Sequence, residues 1–109
     1  MKKFKVAFTG LILGIKDKSI LIQYILGVLV LAFSLIIKLD IISLCLIIIL
    51  VSLVIGFEYL NTCIEKLCDL ITKEENFKIK YIKDLAAGAV LIQAICSAII
   101  FILLLKRLL

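Results

Sequence analysis

Three stretches without a single charged residue dominate this chain: residues 19–37, 41–57 and 85–105, of 19, 17 and 21 residues. An α-helix rises about 1.5 Å per residue, so each run spans, or nearly spans, a hydrocarbon core of roughly 30 Å. The runs are apolar on every face, which excludes membrane strands, since those alternate apolar and polar residues. A soluble fold is excluded by the same surplus: 65% of the 109 residues are hydrophobic and the mean hydropathy is +1.32, against about 45–50% apolar in an average globular protein. The expected fold is all-α and integral to a membrane, a single domain over residues 1–109 with three transmembrane helices.

The charges that remain sit in blocks. Of thirteen Lys and Arg, five lie in residues 1–18 and five in residues 66–83, with only Lys38, Lys106 and Arg107 elsewhere. With three spans the first two groups share one side, and the positive-inside rule makes that side the cytoplasm, with the N-terminus there, in a multi-pass membrane protein. The net charge of +5 therefore reads as topology and headgroup attraction, not as a nucleic-acid surface. A cleaved signal peptide fits poorly, because Lys16-Asp-Lys18 interrupts the apolar stretch and no Ala-x-Ala-like site follows. Four cysteines without a histidine or a Cys-x-x-Cys pair make a zinc site unexpected.

Residues 2–15 carry Phe4, Phe8, Leu11 and Ile15 at helical spacing, with Lys2, Lys3, Lys5 and Thr9 on much of the other face. That pattern predicts an amphipathic helix lying in the membrane interface. The three-residue link Lys38-Leu-Asp40 makes the first two spans a tight antiparallel hairpin. The second span has no Pro or Gly to end it after Phe57, so its helix is expected over residues 41–72 with a cytoplasmic extension. Residues 73–80 read as a solvated connection, and the third span as residues 81–105. Its first turns, Ala86-Ala-Gly-Ala89, are small enough for another helix to approach closely.

On the extension of the second helix, Glu58, Asn61, Thr62, Glu65 and Asp69 recur at i, i+3, i+4, i+7 and i+11, one stripe at about 100° per residue. Acids at a membrane edge are costly unless paired, hydrated or metal-bound, so they are candidates for function. Glu58, the deepest, suits a general base, and Glu65 and Asp69 offer the hard oxygens that Mg²⁺ takes alongside nucleotide phosphates. Lys83 and Asp84, near the start of the third span, add a cation for a phosphate and another acid. The same stripe is also what anchoring would produce, with Glu58 and Glu65 pairing to Lys66 or Lys83 at a helix end. A small multidrug transporter has a similar size but uses four spans and a mid-span acid, whereas these acids sit at the edge.

Glu58-Tyr-Leu-Asn-Thr-Cys-Ile-Glu-Lys-Leu-Cys-Asp-Leu70 resembles E-x-x-N-T-A-I-E-x-x-x-D-L, the signature of the small bacterial membrane lipid kinases, the diacylglycerol and undecaprenol kinase family. Lys83-Asp-Leu-Ala-Ala-Gly-Ala-Val-Leu91, 18 residues after Glu65, resembles that family's second block in its undecaprenol kinase form. The resemblance implies a homotrimer with active sites between subunits, using ATP and Mg²⁺ to phosphorylate a lipid hydroxyl, either undecaprenol or diacylglycerol. Glu58 would be the base, Glu65 a Mg²⁺ ligand, Lys83 and Asp84 nucleotide contacts, with Asn61 and Asp69 ordering the site and Glu74, Glu75 and Asn76 lining the nucleotide.

One block departs from the family pattern. Its G-I-x-x-[AG]-x-x-x-E-x-N-x-x-x-H supplies a second metal ligand from the Glu, and here that position is Lys18, with Ile20 and Tyr24 for the Asn and the His. Lys18 has no lone pair to offer a cation at neutral pH. Three readings stay open: Asp17 replaces the ligand, nucleotide binding weakens, or the chain is an inactive membrane scaffold that keeps the fold.

Overall fold

The computed structural model describes residues 2–108 and is built of four helices: α1 (Lys2–Ile15), α2 (Lys18–Ile36), α3 (Ile41–Ile71) and α4 (Phe77–Leu108). No strand occurs among the described residues. In a hydrocarbon medium every backbone N–H and C=O must be satisfied within its own segment, and continuous helices are the only open-chain solution. Three of the four, α2, α3 and α4, are long and apolar enough to cross a membrane. The molecule measures 51 × 37 × 20 Å, long enough for helices that cross the bilayer and emerge from it.

The α2–α3 hairpin is closed by local chemistry. Lys38 takes a left-handed backbone conformation (φ 59°), and the amides of Lys38 and Leu39 return to the carbonyls of Leu35 and Ser34. This is the Schellman ending of a helix, which satisfies its last carbonyls. Leu39 is buried behind it. Asp40 then caps α3: its carboxylate accepts from the Ser43 N–H and from Ser43 Oγ, the latter at 2.7 Å.

α2 and α3 meet closely at Gly27, where a Cβ would lie 2.6 Å from Val51 Cγ1. Ile47, Ser43 and Ser34 are the fully buried side chains of this contact region. Ser34 Oγ donates to the Val30 carbonyl within its own helix, so its burial leaves no donor stranded.

Two expectations shift. The third span begins at Phe77 and not near Tyr81, because Asn76 acts as its cap: Asn76 Oδ1 accepts from the amides of Lys78 and Ile79 at 2.9 and 3.2 Å. The connection shrinks to residues 72–76, with the Glu74 N–H donating to Thr72 Oγ1. Nor does any helix of the chain close on the small face of α4, since a Cβ at Gly88 would meet nothing within 4 Å and α4 has no buried residue.

Candidate active site

The polar stripe of α3 splits into an inner and an outer part. Glu58, Asn61 and Thr62 are buried, at 7%, 8% and 8% exposure, while Glu65 and Asp69 face outward. Asn61 Nδ2 donates to Glu65 Oε1 at 3.1 Å, one turn further along the helix. The other end of that amide, Asn61 Oδ1, is buried with no partner. A stranded acceptor of this kind is expensive, and beside a carboxylate it is an unused oxygen ligand.

Ion pairing accounts for Asp69 and Asp84 but not for Glu58 and Glu65. Among the described residues the ion pairs are Lys83–Asp69 at 2.6 Å and Lys80–Asp84 at 2.7 Å. Glu58 and Glu65 take part in neither. Glu58 instead lies within range of the negative charges of Glu65 and of Asp17, at the α1–α2 corner. A buried carboxylate with no ion-pair partner among the described residues is costly at a membrane edge, which keeps Glu58 a candidate for function.

The outer part of the stripe opens on a cleft of about 540 Å³ between the end of α3 and the first turns of α4. Asp69, Glu74, Glu75, Asn76, Lys83 and Asp84 all line it. Lys83 is the seventh residue of α4 and lies beyond the helix N-terminus. The N-terminal turn itself, Phe77 to Lys80, forms another wall of the cleft through Phe77, Ile79 and Lys80. Lys83 holds the Asp69 carboxyl below its ordinary value, chiefly through their hydrogen bond, and Asp69 raises Lys83 in return.

At the membrane side of Glu58 an apolar groove of about 300 Å³ separates α2, α3 and α4, with Gly27, Val51, Val54 and Ala94 in its walls. It is suited to an aliphatic chain. Along α3, Glu58 falls between Val54 of the apolar groove and Asp69 of the polar cleft, and lines neither.

Asp17 spends part of its carboxylate on structure. Its Oδ1 accepts from the Ser19 and Ile20 amides at 3.1 and 3.4 Å and so caps α2. The cation test rests on donor chemistry: Glu65 and the unpartnered Asn61 Oδ1 are hard oxygens, and Mg²⁺ in phosphate-handling sites commonly takes only one or two carboxylates from the protein. No cluster of three or more His, Cys, Asp or Glu poised for a metal occurs among the described residues; Glu65 and Asn61 Oδ1 are two hard oxygens, the small number that a cation sharing its shell with phosphates takes from a protein.

Sequence reasoning did not find Tyr59 and Tyr24. Their hydroxyls lie 2.8 Å apart, and Tyr59 Oη donates to the Leu11 carbonyl of α1 at 2.9 Å. The available signal was two phenols in otherwise aliphatic helices near one membrane boundary, where a polar tip must find a partner.

The chain is 40% identical over 75 residues, 69% of its length, to the undecaprenol kinase of Bacillus subtilis (strain 168), and it covers 61% of that relative's own length. A family model described as prokaryotic diacylglycerol kinase matches residues 5–105, a stretch that takes in α2, α3, the cleft and nearly all of α4. The protein is a member of the prokaryotic diacylglycerol kinase family.

Proposed function

We propose that the protein is a lipid kinase that transfers the terminal phosphate of ATP to the hydroxyl of undecaprenol. The observation that carries this reading is Glu58, an unpaired carboxylate that is 7% exposed and lies between an apolar groove and a polar cleft. A long isoprenoid chain lies in the groove, so that only its hydroxyl reaches Glu58. The carboxylate takes the hydroxyl proton as the lipid oxygen bonds to the γ-phosphorus and the bond to the ADP oxygen breaks. The products are the lipid phosphate, ADP and a proton on Glu58 that returns to solvent.

The nucleotide occupies the cleft lined by Glu74, Glu75, Asn76 and Asp84, and Lys83 exchanges Asp69 for a phosphate oxygen. Glu65, with Asn61, would hold Mg²⁺, which supplies charge neutralisation on the phosphates. Asp17, next to Lys18 in the chain, is the acid that would replace the one missing at Lys18, its capping bonds using Oδ1 alone. With little covalent chemistry for the protein to perform, positioning and electrostatics dominate. Three chains assemble as a homotrimer, and the open small face around Gly88 and the exposed α4 support packing against a neighbour. The protein resides in the plasma membrane with the N-terminus and residues 72–76 in the cytoplasm.

The Ala-Ala-Gly-Ala-Val form of the α4 block and the Bacillus relative favour undecaprenol, whereas the name of the family model favours diacylglycerol. Purified protein in lipid, given γ-labelled ATP, Mg²⁺ and each alcohol in turn, decides between them. Label in undecaprenyl phosphate is expected; label only in phosphatidic acid moves the substrate to diacylglycerol, and label in neither supports the inactive scaffold.

A further inference from the structure

The surface helix meets α3 through its last turn. Gly14 is the sole buried residue of α1, and it lies against the Tyr59 ring so closely that a Cβ there would overlap the ring atoms. The Tyr59 hydroxyl donates to the Leu11 carbonyl at 2.9 Å. Its single proton being used, the 2.8 Å contact with Tyr24 has Tyr24 as donor. The two rings meet edge to face, with centroids 6.2 Å apart at 84°. One phenol on α3 thus holds the last turn of α1, and a second phenol on α2 fixes the first.

Tyr59 follows Glu58 directly, so this junction is adjacent to the proposed base. Asp17, three residues beyond Gly14, brings its charge within range of Glu58. The α1–α2 corner therefore borders the place where a lipid hydroxyl must arrive. If α1 swings away, the carboxylate stays on its helix while the wall beside it is lost.

The geometry points to Tyr59, fixed by Tyr24, as a positioning residue that holds α1 beside Glu58, where the lipid hydroxyl arrives from the α2–α3–α4 groove. This inference rests on the reading of Glu58 as the base of a lipid kinase. Tyr59 does not touch the reacting atoms; it acts through α1. The nucleotide cleft is built from the far end of α3 and from α4, and Asp17 is held as the cap of α2 by the Ser19 and Ile20 amides, so loosening α1 leaves both in place. A selective effect on the lipid follows.

The test uses the full chain in lipid nanodiscs and compares wild type with Tyr59→Phe, Tyr24→Phe and Gly14→Ala. Tyr59→Phe keeps the ring and removes both hydrogen bonds; Gly14→Ala keeps both hydroxyls and displaces the ring. Amide hydrogen exchange over residues 8–17 is read first, then the KM for undecaprenol, the KM for ATP and kcat. In Tyr59→Phe, exchange over 8–17 speeds up and the lipid KM rises roughly three- to tenfold, the worth of one to two neutral hydrogen bonds. The ATP KM and kcat stay within about twofold. Tyr24→Phe gives a smaller change in the same direction and Gly14→Ala one of the same sign. Unchanged exchange in Tyr59→Phe overturns the attachment, and faster exchange with an unchanged lipid KM, or with an equal rise in the ATP KM, overturns the positioning role. A wild type that phosphorylates neither undecaprenol nor diacylglycerol overturns the kinase reading instead, and the exchange data then still decide the attachment.

Discussion

At Lys38 a single side chain sits in a backbone conformation that costs a non-glycine residue roughly 1–2 kcal/mol, at the hinge of the α2–α3 hairpin. Lys38→Gly is expected to stabilise the protein by about 0.5–1 kcal/mol, read as a higher midpoint of thermal unfolding in detergent. Asp40→Ala, which removes the cap built with Ser43, is expected to lower it by about 1 kcal/mol. Asp17 is a sharper case, because it both caps α2 and approaches Glu58. Asn caps a helix about as well as Asp, so Asp17→Asn keeps the fold while removing the charge. The half-saturating Mg²⁺ concentration should then rise by about tenfold or more; an unchanged value would take Asp17 away from the cation. The Lys83–Asp69 pair sets a pH window. Asp69 is shifted below its ordinary 3.8, so its contribution is present above that value and fades as pH falls through the shifted one. Lys83 is shifted above its ordinary 10.5, so its contribution is present below that value and fades as pH rises through the shifted one. Docking of the α3 end on α4, read by limited proteolysis at residues 72–76, should be constant from about pH 5 to pH 10 and loosen on either side.

At the level of elements, the α2–α3 contact depends on Gly27. Val51 is β-branched and stiff at χ1, so it yields poorly to a Cβ that would lie 2.6 Å from it. Gly27→Ala should lower the unfolding midpoint despite its gain in helix propensity, with overpacking costing about 1–3 kcal/mol. Gly10→Ala, with nothing within 4 Å of its Cβ, should not. These contrasts also show what the sequence made legible. Hydropathy runs placed α2, α3 and α4 because lipid leaves a backbone almost no choice but helix, and the unbroken polar stripe after Phe57 announced the 31-residue α3. The stripe's residues were legible for the same reason: acids at that depth are rare enough to be noticed. The start of α4 was not, since Asn76 lies in a charged stretch that reads as a linker, and its capping role depends on a backbone conformation hidden from composition. The Leu11–Tyr59–Tyr24 junction was not legible either. It joins residues 48 and 35 apart in the chain, and no periodicity within one helix encodes where another crosses it.

Across the whole molecule, charge and apolar length divide the labour. The three apolar helices fix the protein in the bilayer, and the basic clusters at residues 1–18 and 66–83 place α1, the extension of α3 and the start of α4 on one side. In a cysteine-free background, Glu75→Cys should resist a membrane-impermeant thiol reagent in intact cells and react after permeabilisation, with Lys38→Cys showing the reverse. On that shared side, Glu58, Asn61 and Glu65 lie along α3, with the polar cleft toward its outer end and the apolar groove toward its inner part. The proposed function needs this arrangement to join a membrane-soluble alcohol to a water-soluble nucleotide, with Glu58 as its pivot. The most direct measurement is transfer of label from γ-labelled ATP to undecaprenol by Glu58→Gln beside the wild type, in the same lipid and with Mg²⁺ saturating. The side chain keeps its size and loses only its basicity, so kcat should fall by about 10²- to 10⁴-fold while extraction, helicity and the ATP KM are unchanged; a Glu58→Gln variant that labels undecaprenol at the wild-type rate would contradict the account.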